Sequence, residues 1–323
     1  MDRLSPAVLE AYGLTSRRIK KEKGQYLCDT DKGPVKVQIT QSTPEAIIKE
    51  HSIKEHLAKS GFPFTDRIRL TKTGQPYILM GMDTYVITPH LLAHRETDFE
   101  NDTETLQAFK SLACLHVAAS NMPKSVPIQT ATPLPELYNR QKVELAQAGK
   151  QARRSPRLSD FDVAFIKHIH HYSETIQDAI DRLHKTNYQT LYTHAITEGS
   201  LCHNNLKEEN LLASDTETSI VNFSQASIDL QLADLAALIR RYAQRSSKSL
   251  PMGSLLAAYN QISPLPSGAT DILYAQLIFP WAFMKIITQY YSKKRNWTPN
   301  SLLSRMDTIL AEQESYDEYI IAF

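Results

Sequence analysis

Cysteine is scarce in this sequence, and its scarcity excludes several classes of protein. The three cysteines, Cys28, Cys114 and Cys202, lie far apart in a chain of 323 residues. Such an odd and scattered set argues against a disulfide framework and against a structural zinc site. It favours synthesis in a reducing compartment.

Long hydrophobic runs are also missing. The most apolar window, residues 272–287, is too short to cross a bilayer and contains Gln276, Pro280 and Lys285, so we predict a buried helix there. The first 14 residues have no apolar run after their charged residues, which predicts that no signal peptide is present. We therefore expect a protein that is cytosolic when it is made.

Neither sign of charge is in excess. The 36 Lys and Arg residues nearly balance the 35 Asp and Glu residues, which gives a formal net charge of +1 at pH 7. Balanced charge predicts neither nucleic acid nor a membrane as a partner. Two short basic clusters, at residues 17–21 and 151–157, favour a solvated face or loop over a nucleic-acid site.

The rest of the composition, 42% hydrophobic and 22% charged, is typical of a soluble globular protein. Residues 24–40 predict a β-hairpin, residues 42–61 a helix and residues 66–89 further strands. After them the apolar residues recur at helical spacing. We therefore expect an α+β protein of two lobes, a small β-rich lobe at residues 1–88 and a larger, mostly helical lobe at residues 89–323.

Helical periodicity predicts most of the larger lobe. The predicted helices cover residues 102–120, 160–183, 232–245 and 272–287, with a terminal helix from about residue 301.

Glu50 is the first candidate site residue. It shares the inward stripe of the predicted helix with Ile53 and Leu57, and a carboxylate buried there needs a hydrogen-bonded or charged partner. The preceding strand offers Lys36, so a Lys36–Glu50 pair is sterically sensible. The alternative is that Glu50 lies at an exposed edge of the stripe and faces water.

The segment 201–213, LCHNNLKEENLLA, has the most informative spacing in the chain. His203 and Asn205 are followed by Asn210, five residues after Asn205. Asn222 follows twelve residues later and Asp234 after twelve more. This spacing resembles the aminoglycoside-phosphotransferase-like branch of the protein-kinase fold, whose catalytic loop is H-x-D-x-x-x-x-N with a metal-binding aspartate about twelve residues beyond.

Within that branch the sequence resembles the CotS/YutH-like endospore coat proteins of bacilli. The similarity comes from the CH-x-x-x-x-x-x-N loop, the long helical insertion before it and the run YQTLYTHA. The resemblance to the phosphotransferase-like branch covers residues 24–245 and implies a two-lobed, protein-kinase-like fold. The similarity to the coat proteins implies a protein made in the mother-cell cytoplasm and assembled onto the spore coat with other coat proteins.

The resemblance implies a role for each residue of the motif. His203 would hold the catalytic loop by hydrogen bonds, and Asn205 stands where the family has the aspartate that accepts the substrate proton. Asn210 and Asn222 stand at the metal positions. Asp234 would orient the loop, a structural role.

The two asparagines at aspartate positions remove charge. Asn205 can hold a hydroxyl but cannot accept its proton, and a missing general base costs about 10²–10⁴ in rate. Asn222 offers magnesium only a neutral oxygen, although magnesium in such sites is bound through one or two carboxylates. Glu208 and Glu209 are near in sequence, but we expect both to point away from the site.

The nucleotide pocket is also incomplete. Only Gly24 and Gly33 precede the second strand, which argues against a phosphate cradle of backbone N–H groups. Either Lys36 or Gln38 occupies the position of the nucleotide lysine, with Glu50 as the helix glutamate.

We therefore predict a pseudokinase-like structural or interaction component of the endospore coat, with no intact catalytic residue and no required cofactor. Two alternatives stay open. One is an active ATP-dependent phosphotransferase with an atypical metal site, which would need ATP and magnesium and act on a small molecule or a protein. The other is a nucleotide-binding regulator without turnover.

Overall fold

The computed structural model describes residues 4–22, 24–91, 94–247, 250–292 and 299–321. The chain forms two compact units. The first consists of residues 1–129, 198–228 and 258–263, and the second of residues 130–197, 229–257 and 264–323. The predicted lobe boundary after residue 88 stays a prediction, because compact units and kinase lobes are different divisions of a chain.

The first unit is built on an antiparallel sheet. After a short helix, α1 (Pro6–Ala11), come strands β1 (Ser16–Glu22), β2 (Gln25–Thr30), β3 (Gly33–Thr40), β4 (Ile78–Met80) and β5 (Asp83–Pro89). Their order in the sheet is β1–β2–β3–β5–β4. β2 and β3 form the predicted hairpin, with Cys28 opposite Val35. The alternation of β3 buries Val35 and Val37 on one face and places Lys36 and Gln38 on the other.

Two helices and several short strands complete the first unit. The helices are α2 (Pro44–Lys59) and α3 (Asp102–Ala118), and the short strands are β6 (Arg95–Glu96), β7 (Leu201–Cys202), β8 (Leu211–Ala213), β9 (Thr218–Ile220) and β10 (Ser227–Ile228). α2 begins after Thr43, whose hydroxyl accepts a hydrogen bond from the Ala46 N–H. β8 lies between β6 and β9, and β7 pairs with β10.

The second unit is helical. The remaining helices of the chain are α4 (Leu134–Arg153), α5 (Asp160–His184), α6 (Tyr188–Glu198), α7 (Leu232–Arg245), α8 (Met252–Asn260), α9 (Ala269–Ile278), α10 (Trp281–Tyr291) and α11 (Pro299–Ile321). Buried aromatic rings form much of the core, and Tyr172 stacks on Phe283 with ring centroids 3.7 Å apart. A capping box of Ser159 and Asp162 fixes the start of α5.

The predicted single helix over residues 272–287 is wrong, because the chain breaks between α9 and α10. Phe279 has the extended angles φ −64° and ψ 127° immediately before Pro280. A proline lacks the amide N–H of a helix and disfavours a helical residue before it. Both helices are nevertheless buried, and no described helix is long and apolar enough to cross a membrane. The α+β class is confirmed.

Candidate functional site

His203 anchors the loop that follows β7. Its ring is 1% exposed, with Nε2 2.9 Å from the carbonyl oxygen of Val221, while Nδ1 accepts a hydrogen bond from the Asn205 N–H at 3.2 Å. A carbonyl can only accept and an amide N–H can only donate, so these contacts fit a neutral ring with its proton on Nε2. The Phe223 ring packs edge-on against it. These contacts make His203 a positioning residue.

Asn205, Asn210 and Asn222 form a chain of hydrogen bonds with a fixed direction, here called the asparagine chain. Asn210 Nδ2 donates to the backbone carbonyl of Asn205 at 2.8 Å. Asn210 Oδ1 therefore faces Asn222, whose Nδ2 donates to it at 3.3 Å. The Ser224 hydroxyl donates to Asn222 Oδ1 at 2.7 Å. Because the Asn205 carbonyl can only accept, it determines which atom donates at each later step.

The asparagine chain does not fit a magnesium ion. The Asn222 amide nitrogen supplies the positive partner that Asn210 Oδ1 requires, and both side-chain oxygens already accept hydrogen bonds. An aspartate at position 222 would instead set a negative oxygen against Asn210 Oδ1, and a cation or a proton would then be needed between them. No group of three or more His, Cys, Asp or Glu side chains suited to a metal occurs among the described residues.

A buried ion cluster lies in the same unit. Lys54 is 1% exposed, and its Nζ lies 2.7 Å from both Glu50 Oε1 and Asp66 Oδ1. Burial on its own would lower the pKa of Lys54, but the charges of Asp66 and Glu50 outweigh burial and raise the pKa above its usual value. The ammonium is thus charged and paired throughout the physiological range.

Glu50 has the charged partner that its place on the inward stripe requires, but the predicted partner and the exposed alternative are both wrong. Its partner is Lys54, four residues later on α2, rather than Lys36, and its side chain is only 19% exposed rather than facing water. The i, i+4 spacing brings the two groups together on one helix face. The Phe223 N–H also donates to Glu50 Oε1 at 3.2 Å, so this carboxylate links α2 to the turn at residues 222–224.

A cavity of about 520 Å³ lies beside these groups, entirely within the first unit. Among the predicted site residues it is lined by Lys36, Gln38, Glu50, Asn210 and Asn222, and not by His203 or Asn205. The register explains how β3 contributes: Lys36 lies opposite Thr88 and Gln38 opposite Val86, so the side chains of two strands share this face.

Three acidic residues remain, of which two line the cavity and one lies in the second unit. Glu209 lines the cavity, contrary to the expectation that it points away, although its side chain is 64% exposed and lies 3.7 Å from Lys207 Nζ. Asp66, which also lines it, was not predicted, because it lies in an irregular segment without a periodic pattern. Asp234 is buried in the first turn of α7, in the second unit, and its orienting role stays a prediction.

Comparisons with known proteins agree with this fold. Residues 6–323 match the family described as "Spore coat putative kinase YutH". The chain is 22% identical to Spore coat protein S of Bacillus subtilis (strain 168) over 298 residues, which cover 90% of this chain and 84% of that protein. It is 20% identical to the Endospore coat-associated protein YutH of the same organism over 318 residues, which cover 97% and 90%.

Solved structures are similar over the whole chain. An aminoglycoside phosphotransferase from Alicyclobacillus acidocaldarius superposes with a TM-score of 0.85 at 17% identity, covering 100% of this chain and 96% of that one. The AMP-bound spectinomycin phosphotransferase gives 0.68 at 14% identity, covering 98% of both. These likenesses confirm the predicted kinase-like fold, and the family match over nearly the whole length shows that this chain belongs to the spore coat putative kinase YutH family.

Proposed function

We propose that this protein is a catalytically inactive, kinase-like component of the endospore coat that acts by binding other coat proteins. The observation that carries the proposal is the hydrogen bond from Asn222 Nδ2 to Asn210 Oδ1, an amide donor where a kinase-like site requires a cation. Asn205 adds to the case, since an amide cannot accept the proton of an acceptor hydroxyl.

The ion cluster supports the same conclusion from a different direction. In protein kinases a lysine of the sheet contacts the nucleotide phosphates and pairs with a helix glutamate. Here Glu50 is held by Lys54 from its own helix and by the Phe223 N–H. The connection between α2 and the 222–224 turn therefore needs no nucleotide, as expected of a scaffold.

The relatives support the location. Two Bacillus subtilis relatives are named as spore coat or coat-associated proteins. By extension we place this protein in the spore coat, made in the mother-cell cytoplasm and assembled with other coat proteins.

A nucleotide-binding regulator without turnover is the second candidate. The cavity of about 520 Å³ is within the usual range for small-molecule sites, roughly 300–1,000 Å³. Lys36 lines it and makes no ion pair with a described residue, so its ammonium is available to an anionic ligand. Binding of this kind would not restore the missing general base.

ATP turnover by the purified full chain tests the proposal. We expect no magnesium-dependent release or transfer of the γ-phosphate above the background of the Asn210→Ala variant, which loses the central link of the asparagine chain. ATP turnover in the wild type but not in the variant would contradict the proposal and indicate an active phosphotransferase. Nucleotide binding without turnover would favour the regulator.

A further inference from the structure

β1 forms an open edge of the five-stranded sheet. It pairs with β2, and no other described strand lies beyond it. Six of its seven residues are exposed. A strand edge of this kind presents unpaired backbone N–H and C=O groups that can accept a further strand. The opposite edge, β4, has only three residues, which makes β1 the better template.

β1 is strongly basic, whereas the whole chain is nearly neutral. Arg17, Arg18, Lys20 and Lys21 lie within seven residues that hold a single acid, Glu22, although the whole chain has a formal net charge of +1. Lys20 contacts Glu22 at 2.8 Å, whereas Arg17 and Arg18 form no ion pair with a described residue. Two guanidinium groups are therefore available to carboxylates of a partner.

The regular part of the edge is short but sufficient for strand addition. The register with β2 shifts between Ser16 and Arg18, and from Arg18 to Glu22 it is regular. Ile19 is 43% exposed within this stretch and adds an apolar contact between the cations. Residues 18–22 thus offer both backbone pairing and side-chain selectivity.

We propose that the edge formed by residues 18–22, together with Arg17, binds an extended acidic polypeptide segment by strand addition. Backbone hydrogen bonds would supply the affinity, and carboxylates beside the cationic side chains would supply the selectivity. The same cations repel a second copy of β1, so the edge discriminates against self-pairing. The proposal rests on the interaction role proposed above, because it names the chemistry of a partner segment for that role.

Peptide binding to the full chain tests the proposal. The probe is a fluorescent seven-residue peptide of alternating Glu and Val. Its control has proline in place of two valines, which keeps the charge but removes two of the N–H groups available for strand pairing. We expect fluorescence anisotropy to show binding of the first peptide and at least about tenfold weaker binding of the second, a difference of about 1.4 kcal/mol. Amides of residues 18–22 should exchange more slowly in the complex.

A matched pair of variants separates this edge from general charge. Arg17→Glu with Arg18→Glu should weaken binding at least about tenfold. Arg153→Glu with Arg154→Glu reverses an equally exposed arginine pair in the second unit and should leave the affinity unchanged. Both pairs are exposed, so the melting temperature of each variant should match that of the wild type.

Several outcomes would overturn the proposal. They are absence of binding, equal binding of the proline peptide, equal loss in both arginine variants, and tighter binding of a DNA oligonucleotide or of phosphatidylserine vesicles at β1. The peptide result and the ATP turnover assay are independent, so failure here leaves the inactive-scaffold proposal standing. Turnover of ATP would overturn that proposal without changing the peptide result.

Discussion

The ion cluster lines the same cavity as Asn210 and Asn222 of the asparagine chain, but the first group is charged and the second is neutral. In the cluster, Lys54 forms ion pairs with two carboxylates although its ammonium is almost entirely removed from water. In the asparagine chain, the Asn222 amide donates to Asn210 Oδ1, and the Asn210 amide donates to the backbone carbonyl of Asn205. Charged groups thus connect α2 to its neighbours, whereas neutral hydrogen bonds connect the three asparagines.

Breaking the ion cluster should have the largest effect. Lys54→Met leaves Glu50 and Asp66 without their cation, and removing one partner of a buried ion pair costs about 3–5 kcal/mol. We expect a loss of that size in the free energy of unfolding, measured by urea denaturation. Lys59→Met changes an exposed lysine of the same helix and should stay within about 0.5 kcal/mol of the wild type.

A double variant tests whether the cluster acts as a unit. Adding Asp66→Asn to Lys54→Met removes one of the two stranded carboxylates, so the pair should lose less than the sum of the single changes. Additive losses, or a Lys54→Met variant as stable as Lys59→Met, would show that the buried charges do not hold the unit together.

Introducing a charge into the asparagine chain should destabilise the protein by less than the loss of Lys54. Asn222→Asp removes the donor to Asn210 Oδ1 and sets two acceptor oxygens against each other, at a cost of about 1–3 kcal/mol in EDTA. Magnesium should recover part of that loss, because a cation can bridge the two oxygens. The measurement is the melting temperature with EDTA and with millimolar magnesium.

Asn204→Asp is the matched control for this prediction. Asn204 shares the left-handed backbone of Asn222, with φ 62° against 66°, and its amide also donates two hydrogen bonds, to the Gln225 carbonyl and to the Ser227 hydroxyl. Neither of these hydrogen bonds involves Asn210, so its variant should be destabilised without recovery in magnesium. Equal magnesium responses in both variants would mean that residues 210 and 222 do not form a specific cation site.

A buried carboxylate in the second unit extends the comparison to a single titrating group. Asp229 has no ion pair with a described residue, and burial, with a contribution from the charge of Asp234, raises its pKa to about 7 against the opposing effect of the Leu230 N–H. Folded protein therefore holds a proton on Asp229 between about pH 4 and pH 7 that the unfolded chain has released. Stability falls as pH rises through that window and levels off above it.

The pH dependence of Asp229→Asn checks this assignment. The free energy of unfolding of the wild type should fall by up to about 1.4 kcal/mol per pH unit between pH 4 and pH 7, and the variant should not show this fall. Above pH 7 the variant should be at least as stable as the wild type. The measurement is urea denaturation at a series of pH values. An unchanged slope would place the titrating group elsewhere.

Elements with a clear period were predictable from the sequence. α7 was predicted at its observed bounds, and α5 to within one residue, because their apolar residues recur at helical spacing. β1 was missed as a strand, since a run that is exposed on both faces has no alternation. The break at Pro280 was predictable from the proline alone.

The site was predictable in its spacing but not in its partners. The spacing in the sequence identified Asn205, Asn210 and Asn222 as candidates, and the structure connects them by hydrogen bonds. Lys54 had a readable signal, four residues after Glu50 on a helix, but an argument from strand alternation selected Lys36 instead. Asp66 had none, because only tertiary packing brings its irregular segment to α2.

The most direct test of the central claim is the melting temperature of the wild-type protein with ATP, in magnesium and in EDTA. Ligand at one hundred times its Kd stabilises a folded protein by about 2.7 kcal/mol, so 1 mM nucleotide bound with a Kd of about 10 µM would raise the melting temperature by several degrees. The account predicts no magnesium-dependent rise in the wild type and a rise in Asn205→Asp with Asn222→Asp. A magnesium-dependent rise in the wild type would contradict it.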